Sequence, residues 1–274
     1  MHEDVRTSRL RISRRRALGW GGTIGLTGML AACAGAPAGP SSATRAPAPT
    51  GASAAPADPD LIALLDRANT CGLTPEQTAG PYWFDVDSIR TDIREDRPGT
   101  ELALAVRVRD AACAPVPRSV VEIWHCDAGG IYSGFEAQSA GGSGSSGSPG
   151  TSDGSYSAGD REAPTGDDGT YLRGAQPADA NGIARFTTIF PGWYPGRTAH
   201  VHLKVYLDRR TALTTQLFVD DALTDRIYAA APYVAHPGRD TTNEADSMYA
   251  ASAQLAMQQS GTGWLGVINL GIDR

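Results

Sequence analysis

Two tyrosines and two histidines are the residues of this chain best suited to metal chemistry. Tyr132 stands apart, whereas Tyr194, His200 and His202 fall within nine residues of one another. Phenolate oxygen prefers a highly charged cation, and imidazole suits iron, copper, zinc or nickel. A tyrosine ordinarily loses its proton near pH 10, so a site with two tyrosinates needs a strong Lewis acid. This ligand set therefore favours ferric iron over zinc.

Alternation along Ala199–Leu207 predicts how the two imidazoles are presented. His200, His202, Lys204 and Tyr206 alternate with aliphatic residues. A period of two indicates a half-buried β-strand, which places both imidazoles on one face. Same-face neighbours lie about 6.6 Å apart at Cα, at roughly 3.3 Å per residue, so both side chains can reach one ion. The alternative is a solvent-facing polar stripe that carries two histidines by chance.

Short strands separated by Gly, Pro and Asp turns dominate the chain beyond residue 60. The predicted strands are 101–109, 119–126, 183–188, 199–207, 214–219 and 265–272. The predicted helices are 61–68 and 224–230, and 243–257 is ambiguous. Many strands with few helices predict an all-β fold, a sandwich or a barrel. We expect a β-sandwich of mixed sheets with long loops and a few short helices.

A Gly-, Ser- and Asp-rich segment, 137–169, is predicted to be a long, mobile surface loop. It begins a few residues after Tyr132, so it could form a rim or lid over the site. A passive insertion is the alternative. Asp167, Asp168 and Gly169 favour a turn over a calcium site, because the rest of a calcium-ligand pattern is absent.

Residues 1–33 have the features of an export signal. Three arginines at 14–16 precede a short, Gly-rich apolar stretch that ends at Cys33. The stretch is too short for a convincing membrane span. It resembles a twin-arginine signal with a lipobox, which would make Cys33 a lipidated residue at the cell surface or in the periplasm. Ordinary signal cleavage, which leaves a secreted protein, is the alternative.

Residues 34–60 consist largely of Ala, Pro, Gly, Ser and Thr and are predicted to be a disordered linker. The globular domain is then 61–274. Formal net charge is −6 for the chain, and the six arginines of the leader make the remainder more acidic still. This balance argues against a nucleic-acid partner.

Three cysteines remain beside the one assigned to lipid: Cys71, Cys113 and Cys126. An oxidising compartment favours one disulfide and one remaining thiol, and the sequence leaves the pairing open. No Cys-x-x-Cys spacing occurs, which argues against a zinc cluster.

The segments that carry the tyrosines and histidines resemble those of the intradiol ring-cleavage dioxygenases, the catechol and protocatechuate 3,4-dioxygenase superfamily, including its exported bacterial branch. The resemblance extends to Thr74–Tyr82, Val121–Cys126 and Leu213–Gln216. Several motifs occur in the family's order across roughly 71–273, nearly the whole globular part.

The resemblance implies one non-haem Fe(3+) per chain. Its ligands would be Tyr132 and His200 in equatorial positions and Tyr194 and His202 in axial ones. The implied partners are a catechol-type substrate and O2, which would yield a cis,cis-muconate-type diacid without a reductant or an organic cofactor.

The resemblance also implies roles for residues around the metal. Arg197 falls on the family's active-site arginine and could stabilise negative charge on the ring as oxygen attacks. Gln216 falls on an active-site glutamine that could orient the substrate, and Tyr82 lies in a segment that lines the substrate pocket. Tyr194, displaced from the metal, could accept a proton from the diol. His125 matches no ligand position and is interpreted as structural.

Two departures from the family pattern affect expectations. Only Pro195 and Gly196 separate Tyr194 from Arg197, whereas cytosolic members of the family usually have more residues there. We therefore expect a shorter cover over the metal and a more open pocket. The helical dimerisation segment of the catechol 1,2-dioxygenase branch is missing, which favours a monomer or a small homo-oligomer. Membrane contact is expected only through the lipid anchor.

Two other functions compete with ring cleavage. One is an exported β-sandwich module that binds metal or phenols without turnover, and the other is a copper oxidase. The presence of all four ligands with Arg197 and Gln216 favours the dioxygenase. Which diol would be cleaved is left open.

Overall fold

The structure, a computed structural model, describes residues 58–68, 71–142 and 148–273. The export signal, Cys33 and the linker up to residue 57 lie outside these ranges. Within the described residues, no helix has both the length and the apolar character needed to cross a membrane.

Strands account for most of the regular structure. They are β1 (Glu101–Asp110), β2 (Val120–Trp124), β3 (Arg173–Pro177), β4 (Ile183–Ile189), β5 (His200–Leu207), β6 (Arg210–Phe218), β7 (Ala256–Ser260) and β8 (Gly263–Ile272). The helices are α1 (Asp58–Arg67), α2 (Glu136–Ser139) and α3 (Asp221–Tyr228), with 3₁₀ turns at Tyr233–Ala235 and Ala251–Ala253.

The strands form two four-stranded sheets with a shared core. One sheet has the order β4-β1-β8-β7 and the other β3-β2-β5-β6. Leu104 and Val106 of β1 share one buried cluster with Val201 and Leu203 of β5. This confirms the predicted all-β sandwich. Only the first sheet is mixed, because β1 and β8 run parallel while the other sheet is antiparallel throughout.

Helix α1 covers the outer face of the first sheet. Leu61 and Leu65 pack against that sheet, where Ala105 and Val267 are buried. The helix begins at Asp58, three residues before the predicted start, with Pro59 in the first turn where its missing N–H leaves no bond unmade. The last residues of the predicted linker therefore belong to α1.

Strand β5 alternates as predicted, but it is not half-buried. Its aliphatic row faces the core between the sheets. The opposite row, which is also buried, comprises His200, His202, Lys204 and Tyr206. Loop residues cover this second face: Trp83 lies against Lys204, and Asp160 pairs with the same ammonium group at 2.5 Å. Period-two alternation cannot report such a cover, because the covering residues come from elsewhere in the chain.

Elements near the C-terminus differ from expectation. Helix α3 begins at Asp221, where the Asp220 carboxylate caps it by accepting from the Leu223 N–H at 3.0 Å. The ambiguous segment 243–257 contains turns and the 3₁₀ turn Ala251–Ala253, and β7 begins within it at Ala256. Strand β7 was not predicted, because Ala256–Ser260 lacks β-branched and aromatic residues and becomes a strand only by pairing with β8.

Residues 148–169, the longer described part of the predicted loop, are anchored to the second sheet. Tyr156 is buried, and its hydroxyl donates to Glu122 Oε1 at 3.2 Å. These residues form an irregular surface loop, as predicted, and its mobility stays a prediction. Asp167 forms a turn, as predicted, by accepting from the N–H groups of Gly134 and Gly169.

A disulfide joins Cys71 to Cys113, which settles the pairing that the sequence left open. The remaining thiol, Cys126, is buried.

Candidate metal centre and active site

The four predicted ligands converge at one end of the second sheet. The Nε2 atoms of His200 and His202 are 3.2 Å apart. The phenol oxygens of Tyr194 and Tyr132 lie 3.2 Å and 3.5 Å from His200 Nε2. Tyr132, His200 and His202 are buried, and Tyr194 is half-buried.

The tyrosines are delivered by two loops whose backbones cross closely. Tyr132 follows β2, and Tyr194 lies between β4 and β5. A Cβ atom at Gly130 would lie 2.3 Å from the Trp193 carbonyl oxygen, and one at Gly192 would lie 2.2 Å from the Asp127 carbonyl oxygen. Only glycine permits this approach. The crossing brings the two phenol rings to a centroid separation of 5.8 Å.

Hydrogen bonding and stacking orient the imidazoles. His200 Nδ1–H donates to the Thr198 carbonyl at 2.7 Å, which leaves its Nε2 lone pair facing the other ligands. The His202 ring stacks on Trp124 at 5.0 Å and an interplanar angle of 5°. Burial lowers the pKa of His200 to about 3 and that of His202 well below its ordinary value. Both rings are therefore neutral at neutral pH, the state required of a metal ligand.

The phenols respond to burial in the opposite sense. Desolvation raises the pKa of Tyr132 well above its ordinary value and that of Tyr194 to about 12. Without a bound metal ion both keep their protons at neutral pH. A multivalent cation reverses this preference because it stabilises the phenolate directly.

The geometry fits a single metal ion. Bonds of about 2.1 Å at angles of about 90–120° place ligand atoms about 3.0–3.6 Å apart, and the three separations here are 3.2, 3.2 and 3.5 Å. Across residues 58–68, 71–142 and 148–273, no group of three or more His, Cys, Asp or Glu side chains could hold a metal. The two phenols are thus essential to the candidate site.

Arg197 and Gln216 lie beside this ligand set, as predicted. Arg197 Nη1 is 3.5 Å from both Tyr194 Oη and His200 Nε2. Its Nη2 donates to Gln216 Oε1, and Gln216 Nε2 donates to the Thr78 carbonyl at 3.2 Å. Gln216 also pairs directly with His202 across β5 and β6.

The Tyr82 ring lies over the ring of Tyr132. Its ring centroid is 4.9 Å from that of Tyr132, and its side chain is half-buried. Gly80, two residues before Tyr82, packs closely against His202. Its φ is 73°, and a Cβ atom there would lie 3.2 Å from His202 Cε1.

Asp246 is a site residue that the sequence did not reveal. Its carboxylate, 1% exposed, pairs with Arg197 Nε at 2.9 Å and accepts from the Thr198 N–H at 2.9 Å. It thereby orients the arginine and the residue that binds His200. No local pattern marks it, because 49 positions separate it from Arg197.

His125 is structural, as interpreted from the sequence. Its Nδ1–H donates to the Cys126 carbonyl at 2.8 Å, and its Nε2 bonds with the Thr188 hydroxyl at 2.7 Å. Both ring nitrogens are used within the protein, so His125 has no lone pair left for a metal.

Two phenols, two imidazoles and a guanidinium converge at one sheet end of the all-β sandwich, an arrangement suited to an oxidoreductase that uses a metal. A family model described as Dioxygenase matches residues 77–253. A solved intradiol ring-cleavage dioxygenase from Tetranychus urticae is 30% identical with a TM-score of 0.63, covering 74% of this chain and 95% of that one. This chain belongs to the intradiol ring-cleavage dioxygenase family.

Two further relatives extend the comparison. The dioxygenase domain of a dioxygenase carbohydrate-binding protein fusion from Streptomyces sp. SirexAA-E is 27% identical with a TM-score of 0.50, covering 74% of this chain and 99% of that one. Catechol 1,2-dioxygenase of Acinetobacter baylyi is 28% identical over 170 residues, 53% of this chain and 46% of that protein. The chain spans about half the length of the curated relatives it matches.

Proposed function

We propose that this protein is an Fe(3+)-dependent intradiol dioxygenase that opens catechol-type rings with O2 to give cis,cis-muconate-type diacids. The observation that carries the proposal is that both phenol oxygens and His202 Nε2 lie within 3.5 Å of His200 Nε2. Tyr132, Tyr194, His200 and His202 would hold one ferric ion per chain. Such a hard, trivalent ion suits two phenolates.

Bound iron would supply the Lewis acidity that favours the deprotonated diol and the centre at which diol and O2 react. The surrounding residues would then orient the substrate and handle its charge. Arg197 carries a fixed positive charge beside Tyr194 Oη, where it opposes the rise in pKa that burial imposes on that phenol. The same charge would stabilise an anionic ring.

Tyr194 is the phenol suited to proton transfer. It is more exposed than Tyr132, and Arg197 Nη1 is 3.5 Å from its oxygen. Its Oη would accept a diol proton when the substrate binds. Gln216, held by Arg197 and the Thr78 carbonyl, would orient the diol, and Tyr82 would border the ring.

Metal analysis, visible absorption and oxygen uptake together test this proposal on the purified chain. We expect about one iron per chain, a visible tyrosinate-to-iron band, and O2 consumption with catechol that yields a ring-opened diacid. A panel of substituted catechols would identify the preferred diol. A colourless, iron-free protein that consumes no O2 would instead indicate a binding module, and stoichiometric copper would indicate a copper oxidase.

We further propose that the protein is exported and anchored through a lipid on Cys33. The basis is the arginine run followed by the small-residue site before that cysteine. Cys33→Ser should move the protein from the membrane fraction to the soluble fraction, whereas Cys126→Ser, a matched control on a buried thiol, should leave it membrane-bound. Light scattering on the released protein would distinguish the expected monomer from a small homo-oligomer.

A further inference from the structure

Arg173, at the start of β3, is a buried guanidinium that bonds only neutral oxygens. It is 1% exposed. Its Nε and Nη2 donate to the Ser133 carbonyl at 3.2 Å and 2.7 Å, and Nε also lies 2.9 Å from Ser133 Oγ. The guanidinium carbon lies over the Phe84 ring at 4.4 Å and 5.6 Å from the Phe135 ring. The remaining nitrogen, Nη1, is buried without a partner.

Burying a guanidinium that bonds only neutral oxygens costs free energy, because no opposite charge offsets its loss of hydration. Two apolar side chains would fill the space beside Phe84 and Phe135 without that cost. The retained charge and the two-pronged bond to one carbonyl therefore indicate a role beyond packing. Ser133 directly follows Tyr132, so the bond fixes the backbone that carries the Tyr132 phenol.

The same arginine is linked to the histidine side of the centre. Arg173 pairs with Trp124 across β3 and β2, and Trp124 pairs with His202 across β2 and β5. The Trp124 indole stacks on the His202 ring. One row across the sheet therefore runs from Arg173 through Trp124 to His202 and Gln216. From this row, Arg173 donates hydrogen bonds to the backbone carbonyl of Ser133, next to Tyr132.

We propose that Arg173 is a positioning residue for the metal centre, which ties the loop of Tyr132 to the sheet row of His202 and places a fixed positive charge behind the Tyr132 ligand. This inference rests on the proposed function, because it presumes that Tyr132 binds the metal. Removing the arginine should misplace the phenol and change its electron donation to the metal. Outer contacts of this kind typically change metal affinity by about 10- to 100-fold.

The test uses the full chain as wild type, Arg173→Met, Arg173→Lys and a matched control, Arg107→Met. Arg107 is another buried arginine, but it lies in the first sheet, where it bonds Asn269 at 2.7 Å and Asp66 at 2.8 Å. Iron-free protein is titrated with ferric citrate, followed by the visible band and by quenching of tryptophan fluorescence. Thermal unfolding of each iron-free variant reports stability separately.

We expect Arg173→Met to bind iron about 10- to 100-fold more weakly, with a displaced absorption maximum. Arg173→Lys keeps the positive charge but loses the paired hydrogen bonds to the Ser133 carbonyl. Its affinity for iron should therefore fall less than that of Arg173→Met, and its absorption maximum should move less. Arg107→Met should melt at a lower temperature with wild-type affinity and spectrum.

Wild-type affinity and absorption maximum in both Arg173 variants, with a melting temperature lowered as in Arg107→Met, would show a purely structural role and overturn the inference. If Arg173→Met does not fold, the affinity and spectrum of Arg173→Lys decide the question. A wild type that takes up no iron and stays colourless would overturn the proposed function as well. The two failures are therefore distinguishable.

Discussion

The two candidate tyrosine ligands differ in their surroundings. Tyr132 is fully buried, and its backbone N–H is held by Ser139 Oγ at 3.0 Å. Tyr194 is half-buried and stands beside Arg197. A phenol that must leave the metal to accept a proton needs room to move, whereas a permanent ligand does not. Under the proposed function, we therefore expect Tyr194 to be the exchangeable ligand and Tyr132 the permanent one.

Tyr194→Phe should lower turnover by about 100-fold or more, because positioned acid–base groups typically contribute about 10²–10⁴-fold. Oxygen uptake with catechol measures this loss, and the visible band should change as one tyrosinate is removed. Tyr228→Phe is the matched control, since that hydroxyl donates to the Pro191 carbonyl at 2.9 Å near the same loop. The control should lose about 1 kcal/mol of stability and keep its turnover. Equal turnover in Tyr194→Phe and wild type would refute the ligand assignment.

Asp246→Asn should lower kcat by about 10- to 100-fold, because a misplaced Arg197 no longer faces the reacting centre. The amide keeps the volume of the carboxylate but not its charge. Steady-state oxygen uptake separates kcat from KM. Asp225→Asn is the control, since Asp225 is 68% exposed in its ion pair with Arg239 and should have no effect on turnover. Similar kinetics in both variants would contradict the positioning role of Asp246.

At the scale of elements, Glu122 joins the second sheet to the loops that cover it. This fully buried carboxylate accepts from Trp83 Nε1 at 2.9 Å, Tyr206 Oη at 2.7 Å and Tyr156 Oη at 3.2 Å. Lys204 is its direct partner across β2 and β5. Desolvation raises the pKa of Glu122 to about 7, although the Tyr206 and Trp83 hydrogen bonds oppose the rise.

This shift predicts that the contribution of Glu122 to stability falls as the pH rises. Because the pKa of Glu122 is about 7 in the folded protein against 4.5 as its ordinary value, its contribution is complete below about pH 4.5 and is lost as the pH rises through about 7. That contribution to the free energy of unfolding should fall between pH 5 and pH 8 by on the order of a few kcal/mol, whereas the buried histidines, whose pKa is lowered, act in the opposite direction. The difference in free energy of unfolding between wild type and Glu122→Gln should therefore fall by about that amount from pH 5 to pH 8, as measured by urea denaturation at both pH values. A pH dependence unchanged by the substitution would contradict the prediction.

At the scale of the whole molecule, the Cys71–Cys113 disulfide closes a loop of 42 residues around the start of the sandwich. It links the segment after α1 to the turn after β1. A cross-link of this loop length stabilises the native state by about 4 kcal/mol in the chain-entropy account. The double variant Cys71→Ala/Cys113→Ala should lose about that much.

Reductant provides the internal control for this prediction. It should lower the denaturation midpoint of the wild type but not that of the double variant, because Cys126 is a buried free thiol in both. Equal sensitivity of the two proteins to reductant would show that the disulfide does not form in solution.

Much of the candidate site was predictable because its signals are local. Alternation in β5 places His200 and His202 on one face, since side-chain direction along a strand follows from backbone geometry alone. The nature of the four ligand atoms follows from residue type. Arg197 and Gln216 were predicted by resemblance, and their positions beside Tyr194 and His200 agree with it.

What the sequence alone determined was the chemistry of the ligands, the sandwich class and the face of β5 that bears the imidazoles. The burial of that face, the Cys71–Cys113 pairing and the contacts of Asp246 and Arg173 became known only from the fold. These features depend on contacts between residues far apart in the chain, and a repeating pattern carries no information about such contacts. Asp246 lies 49 positions from Arg197 along the chain, and Arg173 lies 40 positions from Ser133. Only the fold brings each pair into contact.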